Sequence, residues 1–306
     1  VIDRSQDGLL RPDGFELKDG STVEAGAAYT YGATDGRLAT VSDGTDTFTY
    51  GYTAGSNLVA TVTGPAHTVT NTWEPTRDVL ALKENEAGAT LVSSYDYGVN
   101  DIGQRSNVDT EGTAFTGGQR DRAWGYDALG QLVTEADANN SAYDRGFAYD
   151  GIGNRTASIE GDTDTSEPGA IAYTPDALNQ YDAVGAFNPT HDEDGNAEDW
   201  QIRPGGLPSS VSITLQAAIF IWDGENRLIE IQDGSSNTIA EYTYDSQSRR
   251  IRRDIDGGAD IAYLYDGWNP IAEYDISTTP ALSVVNLWGM DLSGAAYGSP
   301  ADAGQG

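Results

Sequence analysis

Residues 220–275 read FIWDGENRLIEIQDGSSNTIAEYTYDSQSRRIRRDIDGGADIAYLYDGWNPIAEYD, and one unit is written there three times. Each copy is an aromatic, a spacer, an aromatic and Asp: Phe220-Ile221-Trp222-Asp223, Tyr242-Thr243-Tyr244-Asp245 and Tyr263-Leu264-Tyr265-Asp266. The aspartates lie 22 and then 21 residues apart, and a fixed period in the twenties marks a repeat architecture. Rings three and one residues before Asp have the period of a strand, which sets them on one face of a sheet. The Asp accepts hydrogen bonds from backbone just ahead of it and opens a turn. Three residues later comes a slot filled by Asn226, Ser248 and Asn269.

The same register recurs upstream. Tyr126-Asp127 is followed by Gly130, Tyr149-Asp150 by Gly153, Asp176 by Asn179, Asp192 by Gly195, and Asn100, standing where Asp would, by Gly103. Gly or Asn fills every slot but Ser248, and these residues best tolerate the positive φ of a hairpin turn. Arg155, Arg227 and Arg249, with Leu228, Ile251 and Ile271, then restart a strand running back. Looser turns at Asp233-Gly234-Ser235-Ser236 and Asp256-Gly257-Gly258 close the units. The unit is strand, turn, strand.

These segments resemble the bacterial RHS/YD (tyrosine-aspartate) repeat family. The resemblance rests on WGYDALGQLV (124–133), FAYDGIGNRTASI (147–159), YTPDALNQY (173–181), HDEDGN (191–196), FIWDGENRLIEI (220–231), YTYDSQSRRIRR (242–253), YLYDGWNPIAEYD (263–275) and NLWGMDLSG (286–294). It implies an all-β fold: an array of β-hairpins forming one long, curled antiparallel sheet, the wall of a shell. Residues 1–94 read as divergent members of the array and 95–294 as the array proper. A polar loop falls at 161–170, a longer excursion near 181–212, and 295–306 read as a linker or frayed tail. Family shells enclose a C-terminal cargo such as a toxin and carry a core segment that plugs them. No counterpart of that segment is seen before Gly306, so no self-cleaving residue is assigned, and the chain, opening in mid-pattern at Val1, is expected to be part of a longer protein.

About fourteen units imply roughly two dozen strands, and a twisted open sheet of that size must curl or split. Its end strands would be open edges, to be paired by the rest of a longer chain or by other copies. Helical periodicity is weak even at its best, from Thr76 to Glu86.

Acidic residues number 48 against 17 basic, a net charge of −31. Such a field repels phosphate backbones and anionic membranes, which disfavours nucleic-acid and lipid-surface roles. It fits a saline habitat, or the binding of divalent cations or a cationic cargo. The chain has no cysteine and hence no disulfide or thiol chemistry, and no apolar run approaches the length of a membrane helix. Asp192-Glu193-Asp194-Gly195-Asn196 resembles a calcium loop with its glycine misplaced and reads better as a repeat turn. Calcium at this or other acidic turns (Asp43 with Asp46, Asp162 with Asp164) stays a secondary expectation; no other cofactor is implied. His67 and His191 have no partner constellation, and no catalytic or phosphate-binding motif is present. The 17 Tyr, 6 Trp and 6 Phe are expected to stack between strands rather than to hold sugar rings. Arg155, Arg227 and Arg249 are expected over those rings or on the turn aspartates.

The expected function is therefore non-catalytic. The chain reads as a wall segment of a secreted or surface protein, extracellular or at the cell surface, that encloses or presents a cargo. The alternatives are an adhesion or matrix protein assembling through exposed edges and, more remotely, a hydrolase of surface polysaccharide.

Overall fold

The computed structural model describes residues 1–116, 118–202 and 216–289. Parts of the 181–212 excursion, the end of NLWGMDLSG and the 295–306 tail lie outside the described residues. The described residues are all β apart from two single-turn 3-10 segments, Thr113–Phe115 and Ser141–Tyr143. Sixteen strands, from β1 (Ile2–Gln6) to β16 (Tyr181–Val184), form one sheet in strict chain order, and eight, from β17 (Asp199–Ile202) to β24 (Ala281–Val285), form a second. All the pairs between chain neighbours are antiparallel, so each sheet is a continuous meander.

The expected single sheet thus breaks once, between β16 and β17. There Gly185 turns at φ 60°, and Pro189 brings no N–H to a ladder. Only two isolated bridges remain, Val184 with Phe187 and His191 with Ala197. Thr76 to Glu86, the weak helical candidate, is instead a turn followed by the strand Leu80–Ala87.

The sheets curl because the hairpins are bulged at one repeated place, next to the second ring of the unit. Gly125 pairs with Thr134 but Tyr126 with Leu132, leaving Val133 extra. Ile221 pairs with Glu230 but Trp222 with Leu228, and Thr243 with Arg252 but Tyr244 with Arg250. An extra residue always on the returning strand bends the ribbon and adds right-handed twist.

Curling brings the last strands back onto the first. Phe15 of β2 (Pro12–Asp19), Ala27 and Tyr29 of β3 (Thr22–Tyr31), and Leu38 and Val41 of β4 (Leu38–Ser42) form one buried cluster with Ile271 of β23 (Asn269–Asp275). Leu264 of β22 (Ile261–Asp266) and Leu287 pack against it. Ile271 is the extra residue of its own bulge and is fully buried. Among the described residues no ladder joins the two sheets; the seam is made by side chains. Arg4 of β1 donates to Asp266, and the Tyr274 hydroxyl donates to Glu24 at 2.7 Å.

Candidate functional site

The repeated turns align along one rim of the sheets, and this rim holds nearly all the residues singled out by the repeat. Each turn is built the same way. The backbone N–H of Asp127 bonds to the carbonyl of Gln131 at 3.0 Å, and that of Gly130 to the carbonyl of Asp127 at 3.1 Å. The Asp127 Oδ1 accepts from the N–H groups of Leu129 and Gln131, both at 2.9 Å. Asp150, Asp223 and Asp245 repeat this double cap. The loop of three residues needs a left-handed residue at its end. That position is Gly130 (φ 80°), Gly153 (φ 99°), Asn226 (φ 58°) and Ser248 (φ 60°). Asp233, in a turn read as looser, caps Ser235 and Asn237 in the same manner.

The third unit departs. Asn269 does not sit at a left-handed slot; it lies in β23 paired with Asp266, and Gly267 (φ 58°) takes the positive angle. Gly151 and Gly224 also follow their Asp, so the difference lies at Pro270, which occupies the place of Asn154 and Arg227 and has no N–H to donate to the cap. The loop shortens to two residues, with Gly267 at the positive angle. Asp266 is thereby drawn into the strand, buried, and given to Arg4 across the seam instead of to its own turn.

Four residues after the cap comes a lock that reaches the next turn. Arg227 Nε donates to Asp223 Oδ2 at 2.8 Å, its guanidinium stands 5.2 Å from the Tyr244 ring centroid, and its Nη1 donates to the Asp245 carbonyl at 3.2 Å. Arg249 does the same with Asp245, the Tyr265 ring at 5.1 Å and the Gly267 carbonyl. Both expectations for these arginines therefore hold in one side chain. Arg11 spans Asp7, the Tyr31 ring and the Gly36 carbonyl likewise. In the middle of the chain amides replace arginine: Gln104 donates to the Gly130 carbonyl at 3.1 Å, Asn154 to Asn179 Oδ1 at 3.0 Å, and Asn196 to Asn226 Oδ1 at 2.9 Å. The last of these ties the turn between the two sheets, 192–196, to the rim of the second. Arg155 stands one place further on, between the rings of Phe147 (5.0 Å) and Tyr173 (5.6 Å).

A second clasp was not read from the sequence. The ring just before the cap donates its polar tip to the carbonyl that opens the preceding hairpin's return strand. Tyr126 bonds to Arg105 O at 2.8 Å, Trp222 Nε1 to Ala197 O at 2.7 Å, Tyr244 to Leu228 O at 2.8 Å and Tyr265 to Arg250 O at 2.8 Å. Tyr31, Tyr52, Trp73 and Trp288 do likewise. Tyr149 occupies the same place at the end of its strand, paired with Arg155, whose N–H donates to the Tyr181 hydroxyl at 3.1 Å. The signal was present: this position holds Tyr or Trp, which carry a donor, whereas the ring two residues earlier is Phe at 147 and 220.

The electrostatics follow the geometry. The Arg227 guanidinium holds the Asp223 carboxyl below the usual aspartate range, and Arg11 does the same to Asp7. The Asn196 amide acts similarly on Asp192. Burial raises the Tyr29 hydroxyl, which has no hydrogen-bond partner in the seam. Burial and then the bond to Glu24 push Tyr274 up to about 12. Among the described residues no three His, Asp or Glu side chains gather as a metal site, and no helix is long and apolar enough to cross a membrane. The carboxylates of Asp7, Asp150, Asp192, Asp223 and Asp245 are engaged by their own backbone and lock, an arrangement that holds turns to one another.

No family model and no curated protein sequence matches the chain. Among solved structures it is similar to a chain of the Photorhabdus luminescens Tc holotoxin pore, with 11% identity and a TM-score of 0.40 over 88% of this chain and 17% of that one. It is also similar to TcdB2-TccC3 without its hypervariable C-terminal region, at 11% identity and a TM-score of 0.38, over 88% of this chain and 18% of that one. A porin-like protein from Bacteroides uniformis, at 9% identity and a TM-score of 0.24, is matched over 92% of this chain and 96% of that one. The chain spans less than a fifth of the length of the toxin chains it matches.

Proposed function

We propose that this chain is a non-catalytic wall segment of an RHS-type β-shell, part of a secreted or surface protein that encloses or presents a cargo. The observation that carries the reading is the continuity of the locks. Turn holds turn along the rim, ring tips clasp hairpin to hairpin, and the last strands are buried against the first. The lock side chains and ring tips of the repeat are spent on holding a neighbouring repeat, which is what a wall requires.

Limited proteolysis of the full-length natural protein tests the reading. A shell leaves its C-terminal cargo cut much more slowly than the same cargo produced alone. Equal cleavage rates for enclosed and free cargo would sink it. The adhesion or filament reading draws on one feature: in β24 three of the five residues are exposed, and no strand pairs with its outer side among the described residues. Negative-stain images showing filaments of this chain alone would favour that reading over the wall.

A further inference from the structure

One stretch of the rim carries a feature that the wall role does not use. Ile102, Leu129, Ile152 and Leu178 occupy the same place, two residues past the cap, in four consecutive turns of the first sheet. Each is between 70% and 77% exposed. The remaining tip residues of the three later turns are Ala128, Gly151 and Ala177 with Gly130, Gly153 and Asn179. These tips therefore show no charge, in a chain whose net charge is −31. The row ends in acid on its far side, with Glu193 and Asp194 exposed at the turn that follows the fourth. On the near side it ends in mixed charge, where exposed Asp101 lies beside Arg77, whose Nη1 donates to the Asn100 carbonyl at 2.7 Å. An apolar centre with a charged margin is the anatomy of a binding surface rather than of a solvated edge.

The row is also held rigid. Gln104 donates to the Gly130 carbonyl and Asn154 to Asn179, while the Gln131 amide lies 3.2 Å from where a side chain on Gly153 would start. Successive turns of one rim are two strands apart, about 9.5 Å, so the four aliphatic tips run over about 29 Å. Two turns of an α-helix rise about 10.5 Å in seven residues, and about twenty residues span 30 Å. A helix laid along the rim therefore sets an aliphatic side chain between successive tips every seventh residue. A strand would instead seek an open sheet edge, and the rim of turns offers none.

We propose that this row is a docking ridge for an amphipathic helix of a partner protein, bearing an aliphatic stripe and Lys or Arg at the end that meets Glu193 and Asp194. The acidic margin there selects that end. It and the net charge work against a second copy of this chain and against anionic lipid. The inference goes beyond the wall role and stands on the rim alone.

The probe is a labelled synthetic helix of about twenty residues, with Leu along one face and Lys at one end, titrated against the full chain by fluorescence anisotropy. Saturable binding is expected, weakened on the order of tenfold in I102S/L129S/I152S/L178S and weakened for a peptide of the same composition with the stripe scrambled. The exposed tips leave the fold intact, which far-UV circular dichroism verifies; L129S and I152S alone serve if the quadruple variant unfolds. Equal binding by variant and wild type, or no binding, overturns the proposal. So does self-association of the chain that the same substitutions abolish, which gives the ridge to a second copy. Capture by neutral phosphatidylcholine vesicles, lost in the variant, gives it to lipid and overturns the proposal as well.

Discussion

The two ends of the chain and its middle lock their turns with different chemistry. Near the ends the lock is arginine: Arg11, Arg37 and Arg77 early, Arg227 and Arg249 late, each on a carboxylate of its own turn. From 100 to 196 the lock is Gln or Asn. Arg11, Arg37, Arg227 and Arg249 each make three contacts, to a carboxylate, a ring and the next turn's carbonyl. Arg77 makes two, to Glu74 and the Asn100 carbonyl. The amide locks at 104, 154 and 196 reach the next turn and their own cap, Gln104 accepting from the Asn100 amide. The arginine-locked ends are also the parts that meet at the seam, whereas the amide-locked middle is where the tips turn aliphatic. The first turn crosses the pattern, since Arg11 sits below the exposed Leu9 and Leu10. Strong charged locks thus accompany the buried junction, and neutral locks accompany the exposed ridge.

The sharpest way to break this contrast is to empty the junction. Ile271→Ala removes a fully buried side chain from the seam, and a loss of about 2–5 kcal/mol is expected in urea denaturation. The truncation Ile152→Ala at an exposed tip should change stability by less than about 0.5 kcal/mol. If the two substitutions cost the same, the seam does not hold the ends together. In the middle, Gly153→Ala forces a side chain into a left-handed conformation at φ 99° and toward Gln131. A cost of about 1–2 kcal/mol is expected, read as a lowered thermal midpoint. A smaller effect, about 0.5–1.5 kcal/mol, is expected for Tyr244→Phe, which removes only the hydroxyl clasped to Leu228.

Acidity and alkali probe the same contrast with opposite signs. Asp223 and Asp7 have folded pKa values below the ordinary aspartate value of 3.8. Their contribution is whole above that value and is lost as pH falls through the lowered folded one, so acid should unfasten the arginine locks below pH 3.8. Molar salt should weaken the ion pairs and spare the amide locks. Acid also protonates the amide-held caps, since Asp150 too lies below the ordinary value, so salt is the discriminating arm. Hydrogen exchange in molar salt is expected to open 223–249 before 127–154, and the reverse order would refute the assignment. Tyr274 behaves oppositely, with a folded value of about 12 against 10.0. Its contribution is present below 10 and lost as pH rises toward 12, so mild alkali should loosen the seam while the rim persists.

The rim was legible in the sequence because its constraints are local. Asp caps its own backbone two and four residues on, and Gly130, Gly153 and Asn226 answer a backbone angle set within the same turn. The bulges and the ring-tip clasps were half legible: Tyr or Trp before the cap is a pattern, but its acceptor carbonyl belongs to another hairpin. The seam was not legible. Arg4 and Asp266 are 262 residues apart, no spacing marks them, and Asp266 bears the same signature as Asp223 and Asp245. What sets it apart is not the glycine, since Gly151 and Gly224 follow their Asp in the same way, but Pro270. It stands where Gln131, Asn154 and Arg227 give an N–H to the cap and has none to give, and Asn269 became strand.

The seam changes how the array responds to damage. In an open row of repeats each unit leans only on its neighbours, and losing a terminal one costs little more than itself. Here the outermost elements shelter one another, so trimming either terminus strips the cover from its opposite. The chain is accordingly a buckled belt: intact while fastened, and slack throughout once the clasp is cut at one place.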